Sequence, residues 1–196
     1  MSKLSFGLRS DTGHVLQQRF DQDRVKGAAA KEILRGLLES SEYDVYPFGY
    51  ESTLSVLKRR LGDKRLGENP VSQRIRSMPD FLVTDRAEEE PPQLVEVKFR
   101  KAQDPPQKIA LKNWDLERYK RYWPESVLVL LSPFGDHFFA QHLKNLELDG
   151  DSYGHTWFEY TDFGSISSIF PKTTGKLGPF HVGIDKIAGL WKEEKD

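Results

Sequence analysis

Hydrophobic and polar positions recur along the chain in patterns that predict a helix followed by three strands. Apolar residues at helical spacing over residues 23–39 predict an α-helix. The aromatic-rich run 43–50 predicts a first strand, and the runs 80–85 and 94–99 predict two more. Between the last two, the acidic, proline-containing segment 86–93 indicates a turn, so we expect these strands to form a hairpin.

The next part of the pattern predicts a second helix and a fourth strand. Residues 112–123 predict a helix, and the apolar run Val127–Leu131 predicts a buried strand, which gives the core order α-β-β-β-α-β. We therefore expect the α/β fold class. We expect an N-terminal arm over residues 1–24, a core over residues 25–135, and a C-terminal extension over residues 136–196 that packs on the core.

The C-terminal extension differs from the rest of the chain in charge. It contains 6 Lys and 10 Asp+Glu, a net charge of −4, whereas residues 1–135 have a net charge of +3; together they give the −1 of the whole chain. Within the extension, residues 157–160 and 165–170 predict short strands, and residues 184–191 predict a final short helix.

The overall charge balance hides two basic segments. With 29 Lys+Arg against 30 Asp+Glu, the chain is neither a strongly basic coat protein nor an acidic solvating tail. Residues 58–76 contain seven basic and two acidic side chains, and residues 98–121 contain eight and three, so each segment has a net charge of +5. These charges suit a groove that follows a phosphate backbone, or an ordinary solvated surface.

Several kinds of site are excluded by composition and spacing. The absence of cysteine rules out disulfides and thiolate metal sites, and the five histidines lack the spacing of zinc ligands. The segment 172–176 resembles a P-loop, but Phe170 stands where that motif needs glycine, so we expect no organic cofactor. No secretory signal and no apolar run of about 20 residues is visible, which leads us to expect a cytoplasmic protein without a membrane segment.

The predicted hairpin places three side chains with complementary chemistry close together. Because strand side chains alternate between faces, Glu96 and Lys98 share one face, and Asp80 opens the neighbouring strand. Two carboxylates beside an ammonium group can bind Mg²⁺ and orient a water molecule. Hydrolysis of a phosphodiester needs those parts, since charge on the phosphate must be offset while a nucleophile approaches in line.

These residues resemble the motif of the PD-(D/E)xK nuclease superfamily. Pro79-Asp80, fifteen further residues and then Glu96-Val97-Lys98 match its pattern, and Lys26-Gly27 with Glu32 is similar to archaeal Holliday-junction resolvases. The resemblance implies a restriction-endonuclease-like αβββαβ core with a mixed central sheet. It also implies a deoxyribonuclease that uses Mg²⁺ or Mn²⁺, in DNA repair or recombination. Asp80, Glu96 and Glu32 would bind the metal, and Lys98 would position or activate water.

The same resemblance suggests how DNA would be held. Arg100 and Lys101 follow the motif directly, and we expect them to contact phosphates, together with Arg74, Arg76 and Lys112 from the basic segments. The helix after the motif often supplies another polar residue to the site in this superfamily, for which Lys112 or Glu117 would serve. A homodimer would suit a symmetric substrate, although no interface is indicated.

Other interpretations fit the same residues. Glu96 and Lys98 could be a solvent-facing pair on an amphipathic strand, Asp80 could cap a turn, and Glu32 could be a charge on an exposed helix. The chain contains a second such triplet, Glu193-Glu194-Lys195, in its charged tail. A non-catalytic nucleic-acid-binding or protein-assembly module with the same fold therefore stays open, as do RNA substrates and the choice between endonuclease and exonuclease action.

Overall fold

The computed structural model describes residues 11–49, 70–100, 108–148 and 154–189, and the side chains from residue 23 onward. These residues form four helices and eight strands, joined by four short 3₁₀ turns. In chain order the elements are α1 (Asp11–Ser40), β1 (Tyr43–Pro47), α2 (Pro70–Arg76), β2 (Phe81–Asp85), β3 (Gln93–Phe99), β4 (Lys108–Lys112), α3 (Asn113–Tyr122), β5 (Val127–Leu131), β6 (Phe138–His142), β7 (His155–Glu159), β8 (Gly164–Ser165) and α4 (Gly178–Gly189).

Six of the strands form one mixed sheet, in the order β1-β2-β3-β5-β6-β8. β3 and β5 run parallel, with Val97 opposite Val129, and every other pair in this sheet is antiparallel. The parallel pair needs a crossover connection, which contains α3. The α/β fold class and the mixed central sheet predicted from the sequence are therefore confirmed.

The two faces of this sheet are covered by different elements. On one face α1 buries Leu34 and Leu37 against Val97 and Val129, and Ile184 of α4 joins the same core. Gly183 allows α4 to approach α1 closely, since an added Cβ atom there would lie 3.0 Å from the side chain of Ile33. The other face, which includes Leu128 and Leu130, packs against α3 and the small β4–β7 sheet. A side chain on α1 or α3 can therefore reach β3 from one face or the other.

The C-terminal extension is built into the sheet. β6 and β8 extend the sheet beyond β5, β7 pairs with β4 of the core, and α4 packs on α1. Lys172 forms an ion pair of 2.5 Å with the fully buried side chain of Asp85, which ties the extension to the hairpin. The extension thus shares both hydrophobic clusters with the core.

Several predicted boundaries differ from those of the structure. α1 begins at Asp11 instead of residue 23, so the expected arm is helical from residue 11 onward, while residues 1–10 lie outside the described part. The predicted strand 165–170 is wrong beyond Ser165, because Ser165 caps a 3₁₀ turn over Ile166–Ser168. The strands β4 and β6 were not predicted. No helix in the described ranges is long and apolar enough to cross a membrane.

Candidate metal centre

The hairpin fixes Asp80 beside the middle of β3. Asp80 directly precedes β2, whose first residue, Phe81, pairs with Val95 in the antiparallel register. One carboxylate oxygen of Asp80, Oδ2, accepts a hydrogen bond of 3.0 Å from the backbone N–H of Val97. The side chain is therefore held by the sheet itself, next to Glu96.

Glu96 and Lys98 form a buried polar network with Tyr119 of α3. Lys98 Nζ lies 2.6 Å from Glu96 Oε1, the Tyr119 hydroxyl donates to the same oxygen at 2.6 Å, and Lys98 Nζ donates to that hydroxyl at 3.1 Å. Glu96 is only 4% exposed, so it is not the solvent-facing charge of the alternative interpretation. The predicted meeting of Glu96 and Lys98 on one face of β3 is thus present.

Electrostatics keep Lys98 protonated. Burial alone would lower its pKa, but the Glu96 carboxylate raises the pKa of Lys98 above the ordinary value for lysine. Burial and Glu96 likewise raise the pKa of the Tyr119 hydroxyl. Lys98 is therefore a hydrogen-bond donor and a source of positive charge at neutral pH, and it has no free electron pair with which to act as a base.

A second lysine binds Asp80 from the other side. Lys31 of α1 places its Nζ 2.5 Å from Asp80 Oδ1, and the Lys31 side chain is 36% exposed. Burial and the nearby Glu96 raise the pKa of Asp80 to about 6, while Lys31 and the Val97 amide oppose that rise. The Lys31 ammonium group therefore stands where it offsets part of the repulsion between the two carboxylates.

Two open clefts meet at this cluster. The first, of about 420 Å³, includes Asp23, Lys26, Gly27, Lys98 and Arg100 in its lining. The second, of about 320 Å³, includes Glu32, Arg35, Arg76 and Tyr119. Both are lined by Lys31, Asp80 and Glu96, so the carboxylates are accessible from two directions.

The two carboxylates suit a divalent cation, although they would supply only part of its ligands. Asp80 and Glu96 supply hard oxygen atoms that line the same clefts, and the pKa of Asp80 is raised by burial and by repulsion from Glu96, which a cation would offset. Within the described ranges, however, no three acidic or histidine side chains come together as a metal-binding group. A cation here would take its remaining ligands from water or a phosphate, and it would meet the ammonium group of Lys31.

Glu32 does not stand with the other two carboxylates. Its side chain is 64% exposed and pairs with Arg35 at 3.3 Å, although it lines the second cleft. One residue earlier on α1, Lys31 contacts Asp80, whereas the resemblance implied that Glu32 of this helix would complete the metal site. A role for Glu32 in metal binding stays a prediction.

The expected DNA-binding residues lie in different places. Arg100 lines the first cleft, where burial lowers its pKa, and donates to the backbone carbonyl of Phe99 at 2.8 Å. Arg76 lines the second cleft, Arg74 is exposed on α2, and Lys112 is exposed just before α3. Lys101 lies outside the described residues.

Lys31 and Tyr119 contact the carboxylates of the site but were not predicted from the sequence. Glu117 and Lys112 were considered for the helix after the motif, but Tyr119 is the α3 side chain that contacts Glu96. Its position three residues after the buried Leu116 placed it on the inward face of α3, and that spacing was an available signal. Lys31 and Glu32 are neighbours on α1, and only the rotation of this helix on the sheet determines which of the two faces Asp80.

We expect Asp80→Asn to stabilise the metal-free protein at pH 7 by about 1–3 kcal/mol, because each unit of pKa shift corresponds to about 1.4 kcal/mol. Since burial raises the pKa of Asp80 from its ordinary value to about 6, folding disfavours its charged form, and this cost grows between about pH 4 and that value and is constant above it. Asparagine still offers an oxygen to the Val97 N–H. Urea unfolding in EDTA should show no gain below about pH 4 and the full gain above about pH 6. A variant less stable than the parent at pH 7 would show that the Lys31 ion pair outweighs burial.

Comparison with solved structures finds four matching chains. One of them, Hjc, a Holliday junction resolvase from the archaeal hyperthermophile Archaeoglobus fulgidus, matches with a TM-score of 0.46 and 13% sequence identity. The match covers 74% of this chain and 96% of that chain. No protein-family model matches the chain, and no curated protein matches it significantly. What the chain does is therefore inferred from its own side chains.

Proposed function

We propose that the protein is a metal-dependent nuclease of the PD-(D/E)xK type that hydrolyses phosphodiester bonds in DNA, with a role in repair or recombination. The observation that supports this most is the juxtaposition of Asp80, Glu96 and a protonated Lys98 around open clefts. An ion pair that served stability alone would gain nothing from access on two sides, whereas a substrate phosphate needs such access.

Each side chain has a defined task in this proposal. Asp80 and Glu96 would bind Mg²⁺ or Mn²⁺, which when bound would offset phosphate charge and make water a better nucleophile. Lys98 donates hydrogen bonds to the attacking water or to the phosphate, and its positive charge stabilises the added negative charge of the transition state. Tyr119 holds Glu96 and Lys98 in place through hydrogen bonds of 2.6 and 3.1 Å.

Arg100 and Arg76 are suited to hold the DNA on either side of the carboxylates. Arg100 lines the first cleft and Arg76 the second, so a strand passing over Asp80 would meet a guanidinium group in each direction. Lys26 and Lys31 add positive charge to the first cleft. A homodimer would present two such clefts to a symmetric substrate.

The experiment that tests the proposal is a cleavage assay on end-labelled linear, flapped and four-way branched DNA, with Mg²⁺, Mn²⁺ or EDTA. We expect cleavage of at least one substrate with a divalent cation and none in EDTA, since two carboxylates without a cation leave the phosphate charge uncompensated. Asp80→Asn should lose that cleavage. Asp44→Asn is the matched control, because Asp44 on β1 forms an exposed ion pair with Arg86 of the hairpin.

Two results would count against the proposal. One is cleavage that persists in EDTA, and the other is equal cleavage by the Asp80→Asn variant and the Asp44→Asn control. An RNA strand of the same sequence, run in parallel, identifies which nucleic acid is hydrolysed.

A non-catalytic nucleic-acid-binding module is the second candidate, and the Lys31–Asp80 ion pair favours it. An ammonium group 2.5 Å from Asp80 already supplies a positive charge to this carboxylate. Such a module would bind DNA with unchanged affinity in EDTA and would cleave none of the substrates. The same panel of substrates therefore distinguishes the two candidates.

A further inference from the structure

The helix α3 presents an exposed tryptophan whose ring is held by an arginine. Trp114 is 57% exposed, and the guanidinium carbon of Arg118 lies 4.1 Å from the centroid of an aromatic ring in its side chain. Arg118 is itself fixed, since its side chain is only 10% exposed and pairs with Asp115 at 3.0 Å. The indole is therefore oriented by a rigid cation–π contact while much of its surface stays open to solvent.

More arginine and aromatic side chains surround this tryptophan. Trp114, Arg118, Arg121 and Tyr122 recur at helical spacing on one face of α3, and with Gln73 of α2 they line a shallow pocket of about 130 Å³, whose lining also includes the acidic side chain of Glu117. We call the four α3 residues and Gln73, without Glu117, the arginine–aromatic surface. The Tyr122 hydroxyl donates to Gln73 at 3.2 Å, which fixes α2 beside α3.

The arginine–aromatic surface is continuous with the candidate metal centre through α2. Arg76, at the end of α2, lines the second cleft together with Asp80 and Glu96. Arg74 lies between Gln73 and Arg76 on this seven-residue helix, with its guanidinium group 5.4 Å from the ring of Trp123. Seven helical residues span about 10 Å. Gln73 lines the pocket beside Trp114 and Arg76 lines the cleft beside Asp80, so the pocket and the cleft meet neighbouring turns of this one helix.

We propose that the arginine–aromatic surface binds unpaired nucleotides of the nucleic acid whose phosphate lies at Asp80, with a base stacked on Trp114. Arg121 and Arg74, both exposed, would contact the phosphates of that unpaired segment. This inference rests on the proposed function and narrows its substrate to nucleic acids with a single-stranded segment next to the cleaved bond.

The chemistry of the surface favours a single strand over a duplex. A base can stack on an exposed aromatic ring only when its own face is open, and in a duplex both faces are covered by neighbouring base pairs. A planar indole backed by a guanidinium group binds any base in this way, because every base has a π face. A basic surface that binds only the phosphates of a duplex would need the arginines but would have no use for the exposed indole ring.

The test compares two DNA ligands by fluorescence anisotropy in EDTA, so that binding is measured without cleavage. The ligands are a blunt duplex and the same duplex with a single-stranded tail. We expect Trp114→Ala to weaken binding of the tailed duplex about tenfold and to leave binding of the blunt duplex within twofold. Trp114→Phe should retain most of the preference for the tail, because a smaller ring can still stack.

Trp157→Ala is the matched control. Trp157 is 38% exposed on β7 and lines a different pocket, with Asn145 and Asp162, so its loss should leave the binding of both ligands unchanged. Equal binding of the two ligands by the parent protein overturns the inference, as does an equal effect of Trp114→Ala on both. If the surface binds a protein partner instead, Trp114→Ala would change the binding of both DNA ligands equally or would change neither, and either result overturns the inference.

Failure of this inference and failure of the proposed function give different results. Divalent-dependent cleavage of a blunt duplex without any preference for a tail would overturn the inference while leaving the nuclease proposal intact. Preferential binding of the tailed duplex without cleavage under any condition would overturn the nuclease proposal while supporting the binding of unpaired nucleotides, and it would favour the non-catalytic binding module.

Discussion

Lys98→Met should reduce divalent-dependent DNA cleavage by about 10²–10³-fold while the protein stays folded. Removal of a single preorganised donor that stabilises transition-state charge costs rates of this size in other hydrolases. The Lys98 side chain is part-buried and protonated, and its Nζ lies 2.6 Å from Glu96 Oε1, so methionine removes the charge and the hydrogen bonds but fills a similar volume. Single-turnover cleavage at saturating protein measures the loss without interference from binding or product release.

Two further variants separate catalysis from stability in this experiment. Lys98→Met removes one partner of the buried Glu96 carboxylate and leaves Tyr119 as the other, which can lower the stability of the fold. Urea unfolding must therefore accompany each rate measurement. Lys144→Met is the matched control, because Lys144 forms an exposed ion pair with Glu125 and should leave the rate unchanged. Lys98→Arg keeps the charge in a different shape and should recover only part of the activity. A folded Lys98→Met protein that cleaves at the parental rate would remove Lys98 from the proposed mechanism.

The core elements were predictable because their signals are local. Val127–Leu131 is a continuous apolar run buried on both faces, and the hairpin around residues 86–93 has a turn sequence between two β-rich segments. The strands β4 and β6 lack that signal. β4 has its polar residues Lys108 and Lys112 at the two ends of a five-residue strand, and its partner β7 lies far away in the sequence. Pairing with a distant strand decided the structure of β4, which no local pattern reports, whereas β6 pairs with β5 across only six intervening residues.

The candidate site was predictable where one hairpin positions it and unpredictable where a helix completes it. Asp80, Glu96 and Lys98 belong to adjacent strands, so alternation and register bring them together. The contribution of α1 depends on the rotation of that helix about its axis. Neighbouring residues on a helix point about 100° apart, and a rotation of one residue exchanges Glu32 for Lys31. That rotation is set by how Leu34 and Leu37 pack on the sheet.

Under the proposed function, Lys31 is the side chain whose substitution should raise the affinity for a divalent cation most. A divalent cation at Asp80 must either displace an ammonium group that is 2.5 Å from Oδ1 or bind beside it. Two unit charges 4 Å apart repel by about 4 kcal/mol at an effective dielectric constant of 20, and solvent screens part of this because Lys31 is 36% exposed. The ammonium group of Lys31 therefore partly neutralises Asp80, and a cation or a phosphate would have to compete with this ion pair.

Lys31→Met should accordingly raise the affinity for Mn²⁺ at least about tenfold, which corresponds to about 1.4 kcal/mol, and Lys31→Glu should raise it further by adding a third oxygen ligand. Titration followed by the electron paramagnetic resonance signal of free Mn²⁺ measures this without DNA and without cleavage. Lys176→Met is the matched control, because Lys176 donates to the carbonyl of Ser40 at the far end of α1. Adding Asp80→Asn to Lys31→Met should abolish the gain, since the bound ion loses its carboxylate. Equal Mn²⁺ affinity of the parent and Lys31→Met would mean that the ammonium group does not compete with the cation, and that Lys31 serves the substrate phosphate instead.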